Sequence, residues 1–153
     1  MKIWGVSMVR NEEDIVEAFV RHNLTILDGM LVVDHNSTDR TPAILTALRA
    51  ERLPLVVKRH GAPGYLQAEI TTSAAREVFA RTPADFVFPL DADEFLKVGS
   101  RAELERYLGS LPPDVHPRFD WPTYAPPFDG ISRHVVACAR AARRLTGRAG
   151  GMG

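Results

Sequence analysis

Ile3-Trp4-Gly5-Val6-Ser7-Met8-Val9-Arg10-Asn11-Glu12-Glu13-Asp14 is the stretch that decides the architecture. Its first seven residues are mostly apolar without alternation, as suits a strand buried on both faces. Asn11 is placed to cap a helix whose first turn carries Glu12, Glu13 and Asp14, acids that favour a helix N-terminus. The apolar residues that follow, Ile15, Val16, Phe19, Val20, Ile26 and Leu27, keep helical spacing. The same strand-then-helix unit recurs. Residues 30–33 form a second buried strand, closed by the polar turn Asp34-His35-Asn36-Ser37-Thr38-Asp39. Thr41-Pro42 reads as N-cap and first helical position, with Ile44, Leu45 and Leu48 buried. Residues 53–57 give a third strand, and a helix over about 66–81 places Leu66, Ile70, Ala74 and Val78 on one face. Residues 86–90 read as a fourth strand despite Pro89. Ser100 and Glu103 then have capping-box spacing, opening a helix with Leu104, Leu108 and Leu111 inward. This β-α-β-α-β-α-β-α order predicts an α/β fold, a mostly parallel sheet with helices on both faces.

Length and composition agree with one such domain. The chain has 153 residues, 45% hydrophobic and 25% charged, the make-up of an ordinary globular domain with one core. Nineteen basic and nineteen acidic residues cancel, so no overall field favours nucleic acid or an anionic membrane. Cys138 is the single cysteine, which excludes an internal disulfide and a multi-cysteine zinc site. No apolar run approaches the ~20 residues of a transmembrane segment, and residues 1–4 lack a secretory leader, so a cytoplasmic location is expected. Three regions are expected: an α/β domain over 1–111, a proline-broken extension over 112–146, and a disordered tail over 147–153. Within the extension a short strand near 118–124 and a basic helix over 135–145 are predicted. From Ala125 onward the chain carries five arginines and one acid, a net charge of about +4.

Ligands of open parallel sheets sit beyond the carboxyl ends of the strands. Three polar clusters fall there: Arg10-Asn11-Glu12, the turn from Asp34, and Asp91-Ala92-Asp93. If the first strand is central, all three converge. Asp91 and Asp93, one residue apart after an apolar strand, suit a hard divalent cation bound through oxygen; the competing reading is a polar loop capping the next segment. Asp34, at a strand end, is placed to accept from ribose hydroxyls or a base N–H. Ser37, Thr38 and Asp39 read first as turn chemistry, His35 as an exposed turn histidine, and His22, His60, His116 and His134 as surface residues. Arg76 reads as a solvated helix residue within reach of a phosphate. The loop at 61–64 is no P-loop, since no Gly-Lys-Ser/Thr follows.

Met8-Val9-Arg10-Asn11-Glu12-Glu13, Val32-Val33-Asp34-His35-Asn36-Ser37-Thr38-Asp39 and Leu90-Asp91-Ala92-Asp93-Glu94-Phe95 together resemble glycosyltransferase family 2. The likeness runs to a bacterial subgroup with Arg-Asn-Glu and Asp-Ala-Asp-Glu-Phe motifs. It covers roughly residues 3–97. It implies the GT-A fold, a Rossmann-like nucleotide-binding sheet, with a nucleotide-diphospho-sugar donor and Mn2+ or Mg2+ as cofactor. Carried over by position, Met8, Val9, Arg10 and Glu12 would line the nucleotide pocket, partly through main chain. Asp34 would contact base or ribose, Asp91 the ribose and metal, and Asp93 the metal. Ala75-Arg76 loosely matches an Ala-Arg pair in which the arginine assists phosphate binding.

Two departures stand out. Many members carry paired acids after the second strand, where this chain has Asp34-His35. Inverting members take their catalytic base from an acidic motif in the acceptor-binding half, and none of Glu94, Glu103, Glu105, Asp114, Asp120 and Asp129 sits in a copy of it. The catalytic residue is thus unassigned, and the resemblance implies a shortened member with an unknown acceptor: glycan, lipid or small molecule. A non-catalytic nucleotide-sugar-binding remnant is the alternative. An Asp-x-Asp strand end also opens the haloacid-dehalogenase phosphatases, but here Glu94-Phe95 follows and Lys97 is the only later lysine. A purely structural α/β domain is the remaining reading.

Overall fold

A computed structural model describes residues 1–62, 64, 66–112, 117, 119–120 and 142–145. Strands β1 (Ile3–Val9), β2 (Gly29–His35), β3 (Leu55–His60) and β4 (Phe86–Pro89) form one parallel sheet in the order β3-β2-β1-β4. Helices α1 (Val16–Asn23), α2 (Thr41–Ala50) and α3 (Gln67–Arg81) connect them. The alternation of side chains along each strand divides the core. Val9, Met30 and Val32 pack with Phe19, Val20, Leu45 and Leu48 of α1 and α2. Val6, Leu31 and Val33 pack with Ile70, Ala74 and Val78 of α3. Helices therefore cover both faces, as predicted. After β3 the chain reverses direction along the sheet, so α3 crosses the opposite face and delivers β4 to the far side of β1.

Pro89 fits because β4 is the last strand of this sheet, where a missing N–H breaks no central ladder. Trp4 pairs with Gly29, and a Cβ on Gly29 would lie 2.7 Å from the Trp4 ring. Past β4 the chain turns into a short strand, β5 (Phe95–Lys97), then α4 (Arg101–Gly109). Leu104 and Leu108 of α4 join the α1 and α2 side of the core.

Several expectations need correction. Asn11 does not cap a helix: its φ is +56°, and α1 starts later, at Val16. The cap position of α2 is Arg40, without a side-chain cap, because the Thr41 hydroxyl is taken by Glu12 N–H. The second strand runs on through Asp34 and His35, whose backbones pair with Arg59 and His60. The predicted strand near 118–124 is β6 (Phe119–Asp120). The end of the predicted basic helix is instead β7 (Ala142–Leu145), which pairs parallel with β5 and antiparallel with β6. Partners on both edges favour the extended backbone there. The rest of that predicted helix, the tail over 147–153, Cys138, His116 and His134 lie outside the described residues. Among the described residues no helix is long and apolar enough to cross a membrane.

Candidate functional site

The sheet changes direction of connection at β1 and β4, and in open α/β sheets the crevice at that point is the usual ligand site. Here it holds a cleft of about 520 Å³ lined by Met8, Arg10, Glu12, Gln67, Asp91, Ala92 and Asp93, within the size range of small-molecule pockets. The first and third of the predicted clusters thus meet.

The β1 end is held by the β2–α2 turn. Ser37 Oγ accepts from Asn11 N at 3.0 Å, and Asn11 Oδ1 accepts from Thr38 N at 2.8 Å. Thr41 Oγ1 accepts from Glu12 N at 2.8 Å, and Asp39 Oδ2 accepts from Glu13 N at 3.1 Å. Ser37, Thr38, Asp39 and Thr41 are therefore spent on shaping the loop that carries Arg10 and Glu12. Asn11 tolerates the left-handed backbone this loop requires better than most residues.

The acidic turn after β4 alternates. Asp91 and Asp93 are exposed, whereas Ala92 and Glu94 are buried. Glu94 closes the turn from within: its N–H donates to Asp91 O at 2.9 Å, and its Oε2 accepts from Asp91 N at 3.1 Å. From α3, Gln67 Nε2 donates to Asp91 Oδ1 at 2.6 Å. Burial, and then the carboxylates of Asp14, Asp93 and Asp39, raise the Glu12 carboxyl above its ordinary value. Glu12 and Asp93 therefore repel across the cleft. Among the described residues no three or more His, Cys, Asp or Glu side chains form a metal-binding group. Asp91 and Asp93, exposed and one residue apart, could supply only part of a hard cation's oxygen shell, the rest coming from water or a phosphate.

The turn of the second cluster thus meets the β1 end, but Asp34 itself does not line the cleft. Asp34 is 3% exposed; its Oδ1 accepts from Ser37 N at 3.2 Å, and its Oδ2 lies 3.5 Å from Arg59 Nε. It lines a neighbouring hollow of about 550 Å³ with Ser37, Asp39, Arg49 and Arg59. The Val9 side chain is 1% exposed and in the core, so any part it takes in a pocket is through its main chain. Arg76 sits on the exposed side of α3, nine residues beyond Gln67, and does not line the cleft.

His35 is not an exposed turn residue. It is 1% exposed, its Nε2 lies 2.8 Å from Gly64 O, and its ring faces His60 at 5.5 Å. His22 and His60 are half-buried rather than surface residues. A further hollow of about 390 Å³ between β3 and α3 holds none of the predicted site residues. Gln67 and Glu94 were not among the predicted residues. Glu94 was findable, since alternation from a buried Ala92 turns it inward; Gln67 gave no signal beyond opening the helix before β4.

No protein-family model matches the chain. Beta-monoglucosyldiacylglycerol synthase from Synechocystis is 40% identical over 90 residues, 55% of this chain and 18% of that enzyme. The chain is related to glycosyltransferases. The shared segment is a small part of the Synechocystis enzyme, so the relation is broad. Two solved structures share the fold. Staphylococcus aureus TarS (residues 1–349) superposes with a TM-score of 0.56 at 21% identity, over 71% of this chain and 32% of that one. The mannosyltransferase PcManGT from Pyrobaculum calidifontis, solved with GDP-Man and Mn2+, gives 0.54 at 21% identity, over 70% and 31%. TarS has also been solved with UDP.

Proposed function

We propose that this chain carries the donor side of a metal-dependent glycosyltransferase of GT-A type. It binds a nucleotide-diphospho-sugar in the cleft between β1 and β4. The observation that carries the reading is the meeting of Arg10, Glu12, Asp91 and Asp93 in one cleft at the topological switch point. Asp93 and Asp91 would hold Mn2+ or Mg2+, which when bound neutralises charge on the departing nucleoside diphosphate. Gln67 occupies one oxygen of Asp91 and so fixes which way the carboxylate faces. Arg10, exposed at the rim, is placed for a phosphate. Asp34, which lines the hollow beside β2, would take the base or ribose, and Met8, which lines the cleft, with the Val9 main chain would line the nucleotide pocket. Nucleotide-bound structures of TarS and PcManGT support a nucleoside diphosphate as ligand.

The test is a thermal-shift panel of UDP, GDP, TDP and CDP, each with and without Mn2+, on wild type and Asp93→Ala. A ligand at ~100 times its Kd stabilises the native state by about 2.7 kcal/mol, several degrees of midpoint for a chain of this size. One nucleotide is expected to give that shift only with Mn2+ and only with Asp93 intact. A well-folded protein that shifts with none of the four refutes the donor site.

A further inference from the structure

We propose that Asn23 is a positioning residue that holds the acidic turn in place; the proposal rests on the donor-site reading above. Asn23 ends α1 and is 0% exposed. Its Nδ2 donates to Phe19 O and to Glu94 O, both at 3.0 Å, and its Oδ1 accepts from Leu96 N at 2.9 Å. Both amide hydrogens and the amide oxygen are thus spent on backbone, two of the three bonds reaching more than seventy residues along the chain. His22, one residue earlier, places Nε2 2.8 Å from Leu96 O. The last turn of α1 therefore holds the N–H and the C=O of Leu96 with side chains, as a neighbouring strand would hold them with backbone.

This grip passes directly to the cleft. Glu94, whose carbonyl Asn23 holds, is the residue whose own N–H and carboxylate close the turn on Asp91. Phe95, between Glu94 and Leu96, is 1% exposed and meets the rings of Phe19 and His22 edge-on at 6.3 and 5.2 Å. A buried amide incurs a desolvation cost that an apolar side chain of similar size avoids. What this amide supplies is a fixed place for residues 94–96. Carboxylates that repel one another need such fixing, because a binding constellation tolerates only about 0.5 Å of misplacement. The same bonds also support the fold, so the test must separate positioning from stability.

The experiment compares wild type, Asn23→Leu and Leu48→Ala, the last opening the core at α2 away from the cleft. Mn2+ affinity is read by water-proton relaxation, and affinity for the nucleotide picked out by the thermal-shift panel is read by calorimetry in Mn2+ and in EDTA. All are measured at a temperature where circular dichroism shows the variants folded. Loss of a residue that orients metal ligands costs about 10- to 100-fold in metal affinity. That loss is expected for Asn23→Leu in Mn2+ affinity and in Mn2+-dependent nucleotide affinity, with binding in EDTA unchanged. Leu48→Ala should lower the thermal midpoint and leave both affinities alone. A folded Asn23→Leu with wild-type Mn2+ affinity overturns the proposal. If that variant does not fold, His22→Phe keeps the ring against Phe95 and removes the bond to Leu96; it should weaken Mn2+ binding several-fold, and no change there overturns the proposal as well. A wild type that binds neither Mn2+ nor any nucleotide is a separate result, which removes the donor site itself.

Discussion

Burial and three neighbouring carboxylates raise the Glu12 carboxyl, so at this residue the apo fold and the proposed ligand make opposite demands. A raised folded value means the native state binds the proton more tightly than the unfolded chain. Stability from this group therefore falls as pH rises through the ordinary value of 4.5 to the folded one. A cation in the cleft would reverse that preference by favouring the carboxylate. Glu12→Gln removes the charge and keeps the shape. Its thermal midpoint without cation is expected at or above wild type near neutral pH, and the rise produced by Mn2+ should shrink. A midpoint several degrees below wild type without cation would show instead that the carboxylate holds the fold together. His35 makes a parallel point about reading single residues. Beside Asp34, Asn36 and Ser37 it looks like part of a turn, but the backbone pairing of β2 with β3 continues past it and the residues after β3 cover it.

At the scale of elements, the start of α4 was legible to the residue, though the helix ends at Gly109, short of the Leu111 expected on its inner face. Ser100 Oγ accepts from Glu103 N at 3.1 Å, the contact its spacing predicts. Because α4 buries Leu104 and Leu108, loosening its start should register in global stability. Ser100→Ala is expected to cost about 1 kcal/mol in equilibrium urea unfolding, with Ser100→Thr close to wild type; an unchanged Ser100→Ala would mean the first turn is held by packing alone. The caps read at Asn11 and Thr41 fail for a reason that spacing cannot reveal. Both side chains are engaged between loops, Asn11 with Thr38 and Thr41 with Glu12, so a long-range contact outbids the local one. Strand cores were clear because apolar runs need burial on both faces. Strand ends were not, since polar residues pair in a ladder as readily as they turn. The cleft was half legible on the same grounds: chain order places Glu12 near Asp93, but register assigns Asp34 to the next hollow.

Across the whole molecule, the sheet has a cleft at one end and a fastening at the other. Opposite the cleft, Arg101 of α4 joins three segments: Nη2 donates to Met1 O at 2.8 Å and to Asp28 Oδ2 at 2.7 Å, and Nη1 to Ile26 O at 2.5 Å. Asp28 also accepts from Ile3 N at 2.8 Å and from Lys2 Nζ at 3.2 Å, so one carboxylate fastens the start of β1, the approach to β2 and the start of α4. Burial alone would raise that carboxyl. The hydrogen bonds from Ile3, Arg101 and Lys2 outweigh it and hold the value at about 2, against an ordinary 3.8. Its stabilisation is therefore complete above the ordinary value and is lost as pH falls from there through about 2, and it amounts to about 2 kcal/mol at ~1.4 kcal/mol per tenfold change in proton affinity. Asp28→Asn should lower stability near neutral pH by about that amount and flatten the fall in urea midpoint between about pH 4 and pH 2. The same variant should leave Mn2+-dependent nucleotide affinity at the wild-type level, because the fastening and the cleft lie at opposite ends of β1. An acid profile as steep as wild type would assign the loss to other carboxylates. Weakened nucleotide binding in folded Asp28→Asn would show that the two ends of the sheet are coupled, and that the cleft depends on how α4 is docked.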